Sequence, residues 1–165
     1  MTSALSGARE ILECVTPLKR DCGKVCGAAC CSSLEGEETG MLLFPGEKEA
    51  YTGKTEWRIR ETAMGPMVIC PGQCKREERP LACRMFPLLP YLDDNREVRV
   101  ITDRRARAVC PLARQGKLAM APAFIDAVRQ AGELLAGEGE QAAFLRRLAG
   151  EQDELKELRR KLGGE

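Results

Sequence analysis

Histidine is absent from the 165-residue sequence. Histidine is the usual general base near neutral pH and the commonest metal ligand in proteins. The absence excludes hydrolase triads built on histidine, and any metal site has to use cysteine thiolates, with carboxylates, water or inorganic sulfide as further ligands. Aromatic residues are also scarce, at four Phe, two Tyr and one Trp. We therefore predict a mainly aliphatic core.

A strong overall charge is missing as well. The formal net charge is only +1, which gives no reason to expect a nucleic acid or a membrane as partner. No stretch approaches the roughly 20 apolar residues of a membrane span, and Arg9, Glu10 and Glu13 interrupt any signal-peptide core. We predict a cytoplasmic protein whose partner is a metal ion or cluster, and the sequence indicates no particular protein partner.

The length fits one domain of ordinary size. We predict an α+β fold, in which a small irregular metal-centred domain with short strands and a hairpin is flanked by an N-terminal helix and a C-terminal helical segment. Residues 1–120 form the cysteine-cluster domain in this prediction. Residues 121–165 form a helical extension packed on it.

Apolar spacing and turn residues locate the individual elements. Helical spacing before Pro17 predicts a first helix with Leu5, Ala8, Ile11 or Leu12, and Val15 on one face. Residues 21–33 are rich in glycine and small side chains and predict a loop, and the acidic residues 35–38 follow it. Short strands are predicted at 41–44, 57–59 and 67–69, and a hairpin at 88–92 and 97–101. Two helical stripes then follow, separated by Gly137 and Gly139: Phe124, Val128, Ala131 and Leu135, then Phe144, Leu148, Leu155, Leu158 and Leu162.

Eight of the nine cysteines are clustered along the chain. They are Cys22, Cys26, Cys30 and Cys31, then Cys70, Cys74 and Cys83, and finally Cys110. Similar spacings occur in zinc knuckles and in iron–sulfur proteins, and the Pro71-Gly72 pair predicts a knuckle turn between Cys70 and Cys74. The neighbouring side chains of Cys30 and Cys31 tend to point apart, which suits two metals or the two sides of one cluster. We predict these eight residues as metal ligands and favour an iron–sulfur cluster over zinc.

Cysteines can also be buried in a core or paired in disulfides. Cys14 lies three residues after Ile11 and four before Leu18, and we predict that it is buried in the core rather than bound to metal. A disulfide framework is disfavoured by the odd number of cysteines and by the lack of a signal sequence.

Cationic side chains are expected near the thiolates, because four thiolates around zinc or an oxidised four-iron cluster leave a charge of about minus two. We predict that Arg84 and Arg79 contact the bound cofactor, while the alternative for the basic residues of this region is a solvated face. A centre with only three cysteines would leave an open position. Glu47, Glu61 or Asp103 are then candidate oxygen ligands.

These motifs resemble a known family of bacterial and archaeal cysteine-cluster proteins, the zinc- or iron-chelating domain of CxxCxxCC type. The resemblance covers about residues 20–112. It rests on the following residues: Cys22, Cys26, Cys30 and Cys31, then Cys70 and Cys74, then Arg79-Pro80, and then Cys83-Arg84-Met85-Phe86-Pro87. The first block has longer intervals than the commoner Cys-x2-Cys-Gly-x-Cys-Cys form, which leaves open which cysteines share a centre.

The family implies metal binding but no defined activity. A similar cysteine module occurs in flagellin lysine N-methylases, where an iron–sulfur cluster is implied, yet nothing else in this chain matches such an enzyme. We predict a metal-binding protein whose centre is structural or electron-carrying. The alternatives are a metal-dependent enzyme, of methyltransferase-type or redox activity and with no catalytic residue identified, and an interaction scaffold that uses the helical tail.

Overall fold

The computed structural model describes residues 3–32, 40–70, 72 and 74–163, and it confirms the α+β fold with helices at both ends of the chain. The acidic residues 35–38 and Pro71 lie outside the described residues. The helices are α1 (Ser3–Ile11), α2 (Cys22–Cys26), α3 (Leu81–Met85), α4 (Ala106–Val109), α5 (Pro111–Gln115), α6 (Pro122–Ala136) and α7 (Gly139–Lys161). The strands are β1 (Gly40–Leu42), β2 (Arg58–Thr62), β3 (Gly65–Ile69), β4 (Leu88–Leu92) and β5 (Val98–Thr102).

The first sheet is antiparallel, in the order β1-β3-β2. Ile69, the last residue of the central strand, is paired with Gly40 on one side and with Arg58 on the other. The chain therefore leaves β3 at the same end of the sheet at which it enters β1. Cys70 follows directly at this end.

The second sheet is the β4–β5 hairpin, which confirms the predicted hairpin. Its turn is held by the carboxylate of Asp93, which accepts hydrogen bonds from the amides of Asn95 and Glu97 at 3.0 and 2.9 Å. Helix α6 packs closely over this hairpin at Gly132. A β-carbon added to Gly132 would lie only 2.5 Å from the Pro90 Cβ, so the absence of a side chain there allows the close approach.

The main core lies between α1, α3, the hairpin, α6 and α7, and it is mostly aliphatic, as predicted. The first predicted tail stripe, residues 124, 128, 131 and 135, is fully buried. The second stripe is buried at Phe144 and Leu148, but Leu158 and Leu162 are 53% and 77% exposed. The prediction is wrong for these two leucines, because α7 continues past the body of the domain after Gln152, its last buried residue.

Cys14 is exposed, so the prediction that it is buried in the core is wrong. Helix α1 ends at Ile11, and the three-residue spacing from Ile11 therefore no longer places Cys14 on the buried face. The chain turns away here, and the Arg76 guanidinium donates to the carbonyls of Leu12 and Glu13, each at 2.7 Å. A residue 63 positions beyond Glu13 thus holds the segment that follows α1.

Among the described residues, no helix has both the length and the apolar character that a membrane crossing requires.

Candidate metal centre

The first cysteine block folds as a short helix followed by a tight turn, where a loop was predicted. The Asp21 carboxylate accepts a hydrogen bond from the Gly23 amide at 3.0 Å and so begins α2. Cys22 and Cys26 are four residues apart on this helix and therefore share one face. Gly27 and Ala28 then take left-handed conformations, with φ of 64° and 54°, and reverse the chain.

After this reversal the chain forms a 3-10 turn at Ala29–Cys31, which contains the vicinal cysteines. The Ala28 amide donates to the Gly23 carbonyl at 2.8 Å, which holds the reversed segment close to α2. The Cys30 and Cys31 Sγ atoms are 3.9 Å apart. The turn also packs against α4, the helix that leads to Cys110.

The knuckle turn predicted between Cys70 and Cys74 includes Pro71 and Gln73, which lie outside the described residues. Gly72 has a φ of 90°, and its amide forms a hydrogen bond with the Cys70 thiol. A β-carbon added to Gly72 would lie 3.5 Å from the Cys31 carbonyl oxygen. Gly72 therefore packs directly against the turn of the first block, although about 40 residues of sequence separate the two.

Cys83 lies on α3, whose first turn is capped from a distance. Pro80 precedes this helix and offers no side-chain cap. Instead the Glu47 carboxylate accepts from the Leu81 amide at 2.8 Å, from the Phe44 amide at 3.0 Å, and from Arg9 at 2.8 Å. Glu47 thus fixes the helix that carries Cys83.

Cys110 is the junction between α4 and α5. Its amide donates to the Ala106 carbonyl at 2.7 Å, and Pro111 is the first residue of α5. The residue is only 8% exposed and belongs to a small apolar cluster with Ala106 and Ala113. Two short helices therefore hold its thiol in a defined place.

The eight predicted ligands line two adjoining cavities. The first, of about 80 Å³, is lined by Cys30, Cys31, Cys70, Cys74 and Cys83. The second, of about 360 Å³, is lined by Cys22, Cys26, Cys30, Cys83 and Cys110. Cys14 lines neither cavity. The sequence clusters thus become two spatial clusters that meet at Cys30 and Cys83.

The sulfur atoms surround the cavities without converging on a point. Within the described ranges, no three Cys, Asp or Glu side chains are close enough together to hold a metal ion as they stand. Ligation would therefore require the thiols to rotate about their side-chain bonds toward the cavity centres.

Burial disfavours free thiolates in these cavities. It raises the pKa of Cys22 and of Cys83, and the neighbouring thiolates raise both further. Burial also raises the pKa of Cys70, to about 11. The hydrogen bond within the vicinal pair raises the pKa of Cys30 and lowers that of Cys31 to about 6. A bound cation would compensate the cost of the buried negative charge.

The two predicted cofactor arginines differ in their contacts. Arg79 lines both cavities, and its Nε is buried without a hydrogen-bond partner. Burial lowers the pKa of Arg79, but its hydrogen bond to Cys74 and the nearby thiolates outweigh this and raise it. Arg84 lines only the second cavity and is 5% exposed; its guanidinium donates to the carbonyls of Glu77 at 2.9 Å and Arg9 at 3.2 Å. Of the two arginines, Arg79 is thus the one whose side chain has an N–H donor without an acceptor beside the thiols.

The three candidate oxygen ligands lie elsewhere, since none of them lines either cavity. Glu47 caps α3, as described above. Glu61 pairs with Lys48 at 2.6 Å on the surface, and Asp103 pairs with Arg105 at 2.7 Å. Their placement argues against the suggestion that they are ligands.

Sequence reasoning missed the apolar wall of the first cavity. Trp57 and Val68 line it and belong to a small buried cluster that also contacts Cys70 and Cys74. Short strands were predicted at both residues, and in the structure Val68 lies on β3 while Trp57 directly precedes β2. Their position beside the cysteines depends on sheet pairing, for which the sequence contains no local signal.

Comparison of the chain with models of protein families, with curated proteins and with solved structures found no match. The resemblance to cysteine-cluster proteins therefore stays a prediction that rests on the motifs.

Proposed function

We propose that this protein binds metal through cysteine thiolates, in an iron–sulfur or zinc centre of structural or electron-carrying role. The observation that carries the proposal is that all eight clustered cysteines line two adjoining cavities while the ninth, Cys14, is on the surface. Unrelated cysteines would not be expected to collect in this way from segments up to 88 positions apart.

The donor chemistry of the cavities fits such a centre. Thiolates without histidine select zinc or iron–sulfur clusters over harder metal ions. The buried and unpartnered Nε of Arg79 is a suitable donor to a negatively charged thiolate centre. The Gly72 amide already donates to the Cys70 sulfur, and hydrogen bonds to ligand sulfur tune such sites.

A structural or redox role is favoured over catalysis because eight thiolates complete two four-ligand shells and leave no open position. An iron–sulfur cluster would supply one-electron transfer, whereas zinc would supply folding free energy. We favour iron–sulfur because of the vicinal pair and the family resemblance. We also propose a cytoplasmic location, where a reducing environment keeps cysteines available as ligands.

The test is to purify the protein anaerobically, record its visible spectrum, and measure iron, zinc and acid-labile sulfide. A brown protein that absorbs near roughly 400 nm and contains iron and sulfide supports the full proposal. A colourless protein with bound zinc supports metal binding but contradicts the iron–sulfur preference. Cys14→Ser should retain the metal and Cys74→Ser should lose part of it. A chain without metal after anaerobic purification and reconstitution would contradict the proposal.

A further inference from the structure

The vicinal cysteines lie where the two cavities meet. Cys31 lines only the first cavity, and Cys30 lines both. Cys83 also lines both. The assignment of these shared residues decides whether the cysteines form one centre or two.

We infer that the chain builds two separate four-thiolate centres and that the vicinal pair is divided between them. Centre one consists of Cys31, Cys70, Cys74 and Cys83, and centre two consists of Cys22, Cys26, Cys30 and Cys110. This inference rests on the proposed function, since it assigns ligands to the metal binding proposed there.

Centre one is assigned from contacts between distant segments. Gly72, two residues after Cys70, packs against the Cys31 backbone, which places Cys31 beside Cys70. Cys83 lines the first cavity together with Cys31, Cys70 and Cys74. With Cys30 assigned to centre two, Cys83 completes the four ligands of centre one.

Centre two is assigned from the helix geometry. Cys22 and Cys26 share one face of α2 and line the second cavity together with Cys110. Cys30 lines the same cavity. The packing of the 3-10 turn against α4 brings the same segment toward Cys110.

Separate apolar clusters support two centres. The cluster of Tyr51, Trp57 and Val68 contacts Cys70 and Cys74, whereas that of Ala106 and Ala113 contains Cys110. Each proposed centre thus contacts a different apolar cluster through at least one of its cysteines. Arg79 lines both cavities and is the cation that the two centres share.

The distance within the vicinal pair does not by itself decide the assignment. The 3.9 Å between the Cys30 and Cys31 sulfur atoms is also close to the S–S edge of about 3.8 Å in a tetrahedral zinc site with Zn–S bonds of about 2.3 Å. The experiment must therefore separate a divided pair from a shared one.

Two double variants make this separation, with Co²⁺ as a coloured probe added anaerobically to the metal-free full-length chain. Cys22→Ser/Cys30→Ser removes two ligands from centre two and none from centre one. Cys31→Ser/Cys74→Ser does the reverse. We expect the unaltered chain to bind two equivalents of Co²⁺ and each variant to bind one. The thiolate-to-cobalt absorption bands of each variant should keep their positions and have about half the absorbance of the unaltered chain.

Alkylation followed by mass spectrometry then identifies the ligands. With cobalt bound, Cys22→Ser/Cys30→Ser should protect Cys31, Cys70, Cys74 and Cys83, and leave Cys14, Cys26 and Cys110 reactive. The complementary variant should protect Cys22, Cys26, Cys30 and Cys110. Cys14→Ser is the matched control and should bind two equivalents.

Several results would overturn the division. If Cys30 and Cys31 share a centre that also contains either Cys22 or Cys74, one of the two double variants removes one ligand from each centre, and that variant shows two damaged sites with shifted bands. If all eight cysteines form one centre, both variants lose the whole signal. If a variant does not fold, the unaltered chain is titrated with Co²⁺ instead. Protection from alkylation should then appear in these two groups of four cysteines. Any other grouping contradicts the division. Failure of the unaltered chain to bind any metal would instead contradict the proposed function.

Discussion

Glu47 provides a direct test of how the chain positions Cys83. Its side chain is 1% exposed, and its carboxylate is the common acceptor for the Leu81 and Phe44 amides and for Arg9. Replacing it with glutamine keeps the shape but removes the charge and places an amide nitrogen among these donors. At least one buried backbone amide then loses its acceptor.

The expected cost follows from the contacts that are lost. A hydrogen bond to a charged group contributes about 1.5–3 kcal/mol, and removing one partner of a buried pair costs about 3–5 kcal/mol. The Arg9 side chain retains 18% exposure and can turn to water, which lowers the cost. We expect Glu47→Gln to reduce the free energy of unfolding by about 2–3 kcal/mol and Glu47→Ala by about 3–5 kcal/mol.

Urea denaturation of the metal-free chain measures this effect. The matched control is Glu61→Gln, because the Glu61 side chain is 64% exposed and pairs only with the exposed Lys48 among the contacts described. The control should unfold at an unchanged urea concentration. A loss below about 1 kcal/mol for Glu47→Ala would refute the capping role, since each contact alone should exceed that value.

Further predictions concern the packing of the two long helices and the metal itself. Gly132→Ala should destabilise the protein by about 1–3 kcal/mol in urea denaturation because of its close contact with the hairpin, whereas Gly150→Ala, with nothing within 4 Å of the added carbon, should stabilise it by up to about 1 kcal/mol. Equal effects would contradict the close packing of α6. Gln152→Leu should cost about 1–3 kcal/mol because buried Gln152 donates to Asp103 at 3.0 Å and accepts from the Arg104 amide at 2.9 Å; an unchanged midpoint would contradict the role of these bonds. Anaerobic removal of metal by a chelator should lower the melting temperature, and an unchanged temperature would show that the centre contributes no folding free energy.

The elements that could be predicted from the sequence are those with local signals. The β4–β5 hairpin follows from two short apolar strands around the Asp93 turn. The break between α6 and α7 follows from Gly137 and Gly139. The clustering of the cysteines could also be predicted, because their spacing in the sequence already departs from chance.

Some features could not be predicted because they depend on contacts between residues that are far apart along the chain. Arg76 holds the segment that follows α1, and Glu47 caps the start of α3 across 34 positions. Neither contact has a local motif that could have revealed it. Leu158 and Leu162 keep a helical apolar spacing, but periodicity does not show where the body of the domain ends beneath a helix.

Counting the reactive thiols tests the central claim most directly. The protein is purified anaerobically and alkylated in its folded state, and each of its nine cysteines is then located by mass spectrometry before and after metal removal. The metal-bound centres proposed here predict that Cys14 alone reacts in the native protein, and that the other eight react only after metal removal. Rapid alkylation of all nine in the native protein, with no change on chelation, would contradict metal binding by these cysteines.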